Sequence, residues 1–171
     1  MDLLMIVLRL FHIFAGIFWV GTTFFLEGFL QPTVRAAGPE GGQFMQRLVR
    51  NTRITQVMPL VALLTTLSGV LMFWRASGEL YGPWLASARG VVLTVGSLAG
   101  IAAFVIGLFF QSPASRRMAQ LAGQIAAAGG PPTPEQGMEL EAMQRKLAQG
   151  SLYTTVLMVI AVVGMAAARY L

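Results

Sequence analysis

Residues 3–30 read LLMIVLRLFHIFAGIFWVGTTFFLEGFL, and within them only Arg9, His12 and Glu27 can carry charge. As a helix rising ~1.5 Å per residue, the stretch outruns the ~30 Å hydrocarbon core of a bilayer. It shows no period-two alternation, and a lipid-exposed backbone must satisfy its own polar groups, so it reads as a membrane-spanning helix and not a barrel strand. Working outward, residues 57–74, 91–111 and 152–171 repeat the pattern. Composition agrees: 56% of the 171 residues are hydrophobic and 11% charged, and the mean hydropathy is +0.68. A soluble domain carries roughly 25% charged residues, so that class is excluded. The expected fold is a single all-α polytopic membrane domain over 1–171, a four-transmembrane-helix bundle. The absence of cysteine excludes disulfides, thiolate metal sites and cysteine nucleophiles.

The first span is expected to be retained and not cleaved as a signal peptide. Asp2 and the lack of a basic residue before Arg9 are wrong for an n-region, and the apolar run is too long.

The segments after spans one and three hold Arg35, Arg47, Arg50, Arg53, Arg116, Arg117, Arg145 and Lys146. The other side holds Arg75, Arg89 and Arg169, with Arg9 if its side chain reaches outward. The positive-inside bias then puts connections one and three in the cytoplasm and both termini outside. The basic excess points to anionic lipid headgroups as partners and not to nucleic acid.

Connection one is expected to hold an amphipathic helix over about 40–56, with Phe44, Leu48 and Thr52 on one face and Arg47, Arg50 and Arg53 on another. Connection three reads as a helical hairpin over about 113–149. Ser112-Pro113 is expected to start one helix, and Gly129-Gly130-Pro131-Pro132 to end it. Thr133-Pro134-Glu135-Gln136 starts the next with a capping box. In the short external connection, Trp74, Tyr81 and Trp84 read as interfacial anchors.

Chemistry is sought first in span one, because ionisable groups inside a membrane are costly and mark functional sites. At 100° per residue, Arg9, His12, Gly16, Trp19, Thr23 and Glu27 share roughly 80° of arc, a stripe expected to face the bundle interior. His12, the only histidine, falls roughly 13–15 Å from the external end, near mid-bilayer. Its imidazole is able to ligate haem iron or copper. Gly16 leaves room for a flat macrocycle, Arg9 can pair with a propionate, and Trp19 can wall the site. Two readings stay open for His12: a metal ligand, or a packing residue hydrogen-bonded to a threonine or carbonyl of a neighbouring helix. Met58 and Met72 of span two are candidate thioether ligands, with Met158 and Met165 of span four behind them. The methionines are otherwise scattered packing residues.

Gly96, Gly100, Ala103 and Gly107 on span three, and Ala161, Gly164 and Ala168 on span four, form small faces that permit close approach. Thr65, Thr66, Ser68, Thr94 and Ser97 are expected to bond between helices. No phosphate loop, dinucleotide fingerprint, zinc-protease motif or inverted repeat is found.

Arg9-x-x-His12, then Trp19-x-Gly21, then Pro32 form a string that resembles the first helix of a group of small bacterial membrane proteins. The group comprises the CopD-type copper resistance domain, the HemJ-type protoporphyrinogen oxidases and an uncharacterised four-span family. The stretch from Pro131 through Gln144 to Arg169-Tyr170-Leu171 looks most like the last of these. The resemblance implies b-type haem with His12 as ligand. The leading expectation is a haem b protein acting as an electron-transfer or oxidase-related subunit. The alternatives are a copper-handling protein of CopD type and a cofactor-free accessory or assembly subunit, in a homo-oligomer or a larger membrane complex.

Overall fold

A computed structural model describes residues 3–171, apart from the side chain of Pro39; Asp2 lies outside the described residues. The chain is an all-α polytopic membrane protein. Four helical stretches, Leu3–Ala36, Ile54–Ala76, Ala88–Ala128 and Pro134–Tyr170, are long and apolar enough to cross a bilayer. The first contains α1 (Leu3–Phe25), a π-helical turn (Leu26–Leu30) and α2 (Gln31–Ala36). After a sharp turn come α3 (Gly38–Asn51) and α4 (Ile54–Ala76). A one-turn α5 (Gly82–Leu85) leads into α6 (Ala88–Ile106), a second π-helical turn (Gly107–Gln111) and α7 (Ser112–Ala128). Then α8 (Pro134–Ala167) runs to a closing 3-10 turn at Ala168–Tyr170.

The bundle is two tight antiparallel pairs, α1 with α4 and α6 with α8. Contact between the pairs, through α4 with α6 and α1 with α8, is much thinner. Lipid is as apolar as leucine, so helices in it gain by backbone proximity and not by hiding methyl groups. The second pair uses that route. A Cβ built on Gly164 would lie 2.9 Å from Cα of Gly96, and Ala99, Ala103 and Ala161 are buried along the same seam around Met158. Large apolar side chains such as Phe14, Ile17, Leu98 and Val163 point outward, where acyl chains solvate them.

Several local expectations change. Ser112 does not start a helix: it is helical on both sides, and α6 runs unbroken through the π turn into α7. A proline ring clashes with the carbonyl four residues back, and here that residue, Phe109, lies in the widened π turn. Pro32 repeats the device, with Gly28 four residues back inside the first π turn. The same solution thus appears in both halves, at Gln31-Pro32 and at Gln111-Ser112-Pro113.

The helix expected over 40–56 ends at Asn51. Thr52 is extended, and its hydroxyl donates to the Leu48 carbonyl at 2.7 Å. The hydroxyls expected to bridge helices mostly do not. Those of Thr65, Thr66, Ser68 and Thr94 donate to carbonyls four residues back in their own helices, which satisfies each one locally. Trp84 is half-buried and packs edge-on against Phe73, ring centroids 5.8 Å apart, so it joins α5 to α4, while Trp74 and Tyr81 are exposed.

The Thr133 capping box forms as expected. The Gln136 amide donates to the Thr133 hydroxyl, and the Thr133 amide donates to the Gln136 side chain. Thr133→Ala is expected to cost about 1 kcal/mol locally, read as faster amide exchange in the first turn of α8 with the spanning part unchanged.

Candidate functional site

Glycines and small hydroxyls on α4 create a seat that a larger side chain from α1 fills. Thr65 and Ser68 lie one turn apart on α4, both buried, and Gly69 follows them. The imidazole of His12 lies across this surface. Its Nδ1 is 2.8 Å from the Thr65 carbonyl oxygen and 3.2 Å from Ser68 Oγ. A Cβ on Gly69 would lie 2.8 Å from His12 Cε1, so the ring rests on bare α4 backbone. Only a glycine admits that approach.

The hydrogen bonds select the tautomer. A carbonyl oxygen only accepts, so Nδ1 carries the proton and donates to Thr65. The Ser68 hydroxyl reinforces the arrangement, since it donates to the Leu64 and Thr65 carbonyls and leaves a lone pair toward Nδ1. Nε2 is therefore the unprotonated nitrogen. Every fully buried side-chain nitrogen or oxygen among the described residues has a hydrogen-bond partner. Nε2 has none among the described residues, so it is not fully enclosed by the chain. An imidazole anchored by Nδ1–H to a backbone carbonyl, with Nε2 free, has the orientation and basicity that metal-ligating histidines show.

The rest of the stripe divides. Gly16, one turn along α1, packs against α4, where a Cβ would meet Thr65 Cγ2 at 3.7 Å. Trp19 and Thr23 are half-buried, and the Thr23 hydroxyl donates to the Trp19 carbonyl. No residue of α1 is fully buried, because α1 packs mainly on α4 and only thinly on α8. The stripe therefore faces one helix and not an enclosed interior. Arg9 departs further: it is exposed, about 60° round the helix from His12.

Of the methionines, the fold brings Met72 to the level of the site, one turn beyond Ser68 and on the same face of α4. Met58 lies about two turns the other way, roughly 13 Å along the axis from His12, so it cannot share an ion with His12. Both are half-buried. Among the described residues, no three His, Asp or Glu side chains converge on one point, so the donor set is a single imidazole with, at most, a thioether beside it.

Sequence reasoning missed Gly69. The signal available was a glycine directly after Thr65-Thr66-Leu67-Ser68 within an apolar helix. No family model, curated protein or solved structure matches the chain, so the functional reading rests on this geometry.

Proposed function

We propose that this integral membrane protein binds haem b through Nε2 of His12 and works as an electron-transfer or oxidase-related subunit. The observation that carries the reading is the Nδ1–H donated to the Thr65 carbonyl, which leaves Nε2 unprotonated and open. A histidine serving packing alone would use the same Nδ1 contact. The two earlier readings of His12 are therefore compatible, one for each ring nitrogen.

Bound haem would supply a one-electron redox centre. The chain's own part is to fix the ring plane with the Thr65 carbonyl and to seat the ring on the bare backbone of Gly69. Arg9, exposed three residues toward the α1 N-terminus, is suited to pair with a propionate. With one histidine per chain, a second protein donor to the haem would be the Met72 thioether or a group from another chain. By the distribution of arginines, the end bearing α3 and α7 is proposed to face the cytoplasm.

The test is an absorption spectrum of the detergent-purified protein after haem titration. A Soret band saturating at one haem per histidine is expected, and His12→Ala is expected to abolish it while far-ultraviolet circular dichroism stays helical. A band that survives His12→Ala would overturn the assignment. Stoichiometric Cu(I) uptake without that band, weakened by Met72→Leu, would transfer the site to copper. Neither signal, with recovery only inside a larger complex, would leave the accessory-subunit reading.

A further inference from the structure

We propose that the cleft between α3 and α7 binds the phosphate of an anionic phospholipid headgroup. The cleft has a volume of about 400 Å³ and is lined by Gln43, Gln46, Arg47 and Arg50 of α3, with Ala126 of α7 opposite. This inference does not depend on the haem reading.

Of the eight basic residues at this end, only Arg117 and Arg145 have a carboxylate partner among the described residues, and of the others Arg47 and Arg50 line one cleft together. On the α7–α8 hairpin, Arg117 meets Glu139 at 3.0 Å and Arg145 lies 3.7 Å from Glu141, while Arg116 and Lys146 have no carboxylate within ion-pair distance among the described residues. On α3 the only acid is Glu40, in the first turn, where it complements the helix dipole and lies two turns from Arg47. Among the described residues, Arg47 and Arg50 have no carboxylate within ion-pair distance. They sit one turn apart on one face, flanked by two amide side chains that donate to phosphate oxygens as well.

Depth picks out a lipid over a free anion. The 23 residues of α4 span about 34 Å, little more than the hydrocarbon core, so Ile54 starts at the boundary. Arg50 and Arg47, one and two turns upstream, then fall within about 10 Å of it, in the headgroup layer. Beside them, Phe44 is 52% exposed, placed to enter the acyl boundary. Met45, Leu48 and Val49 of α3 are half-covered. The helix is held at this height, since a Cβ on Gly41 would strike the Val34 carbonyl of α2. Guanidinium groups suit the recognition because they bind phosphate oxygens bidentately.

The experiment uses the full chain equilibrated with phosphatidylcholine vesicles doped with phosphatidylglycerol, with retained lipid counted by native mass spectrometry. Preferential retention of phosphatidylglycerol is expected. Arg47→Gln/Arg50→Gln is expected to weaken it about tenfold or more, from the contribution of each basic residue at a membrane surface. Arg145→Gln, which removes a paired charge, should change nothing, and Arg47→Lys/Arg50→Lys should keep only part of the retention, since an ammonium preserves the charge but not the bidentate contact. Equal retention by wild type and the glutamine double variant overturns the proposal, as does equal retention of the two lipids. Displacement of the lipid by inorganic phosphate at matched concentration also overturns it, in favour of a free-anion site.

Discussion

Gly69→Ala is expected to push the imidazole of His12 off α4 and to remove any haem held by Nε2. The new methyl would stand 2.8 Å from Cε1 and 3.3 Å from Nδ1, closer than carbon atoms approach without displacement. The ring has little room to yield, because its Nδ1 is tied to the Thr65 carbonyl at 2.8 Å. Two effects oppose each other. Alanine gains about 1 kcal/mol over glycine in a helix. Overpacking costs about 1–3 kcal/mol, and a lost hydrogen bond about 1 more. The clash wins, with net destabilisation of about 1–3 kcal/mol, read by denaturation in detergent and by loss of the Soret band in haem titration. The sharper test is the double-mutant cycle. In a His12→Ala background the methyl has no ring to meet, so Gly69→Ala should turn neutral or stabilising. Additive losses in the cycle would mean that the ring does not rest on Gly69.

Gly164→Ala is expected to wedge α6 from α8. Its methyl would meet Cα of Gly96 at 2.9 Å, with the Gly96 nitrogen and the Val92 carbonyl oxygen each at 3.2 Å. All three are backbone atoms, so no rotamer change relieves the contact and the helices themselves must separate. Separation opens the seam closed by Ala99, Ala103 and Ala161. An expected loss of about 1–3 kcal/mol follows, and more for valine, measured by thermal denaturation in detergent. Gly123→Ala is the control. It lies mid-helix in α7 with nothing within 4 Å of its added methyl, so it should stabilise by up to about 1 kcal/mol through helix propensity. If both variants behave alike, the α6–α8 contact is looser than the structure describes.

These two glycines mark where sequence reading stopped. Gly164 was legible, because a row of small residues in an apolar helix signals close packing, and its partner face with Gly96 was readable in the same way. Gly69 was not. Its requirement comes from a side chain 57 positions earlier in the chain, and nothing local to α4 announces that an imidazole lies on it. The hydroxyl cluster around it suggests bonding between helices, yet Thr65 contributes its backbone carbonyl to His12 and keeps its hydroxyl within α4. Likewise Ser112-Pro113 carries a valid helix-start signature, which a π turn overrides by widening the backbone where the proline ring would clash.

The residue string alone determined the all-α class, four helices of membrane-spanning length, the hairpin with its Thr133 cap, and the choice of His12 as the group to watch. Each follows from local causes: hydrophobic length against bilayer thickness, backbone satisfaction in lipid, and cap chemistry within one turn. The pairing of α1 with α4 and of α6 with α8, the tautomer of His12, the outward turn of Arg9 and which of Met58 and Met72 lies level with His12 were decided only in three dimensions. They depend on which helix faces which, and at what height. In a bilayer that choice is made by shape between distant small residues, with no apolar burial gradient along the chain to foretell it.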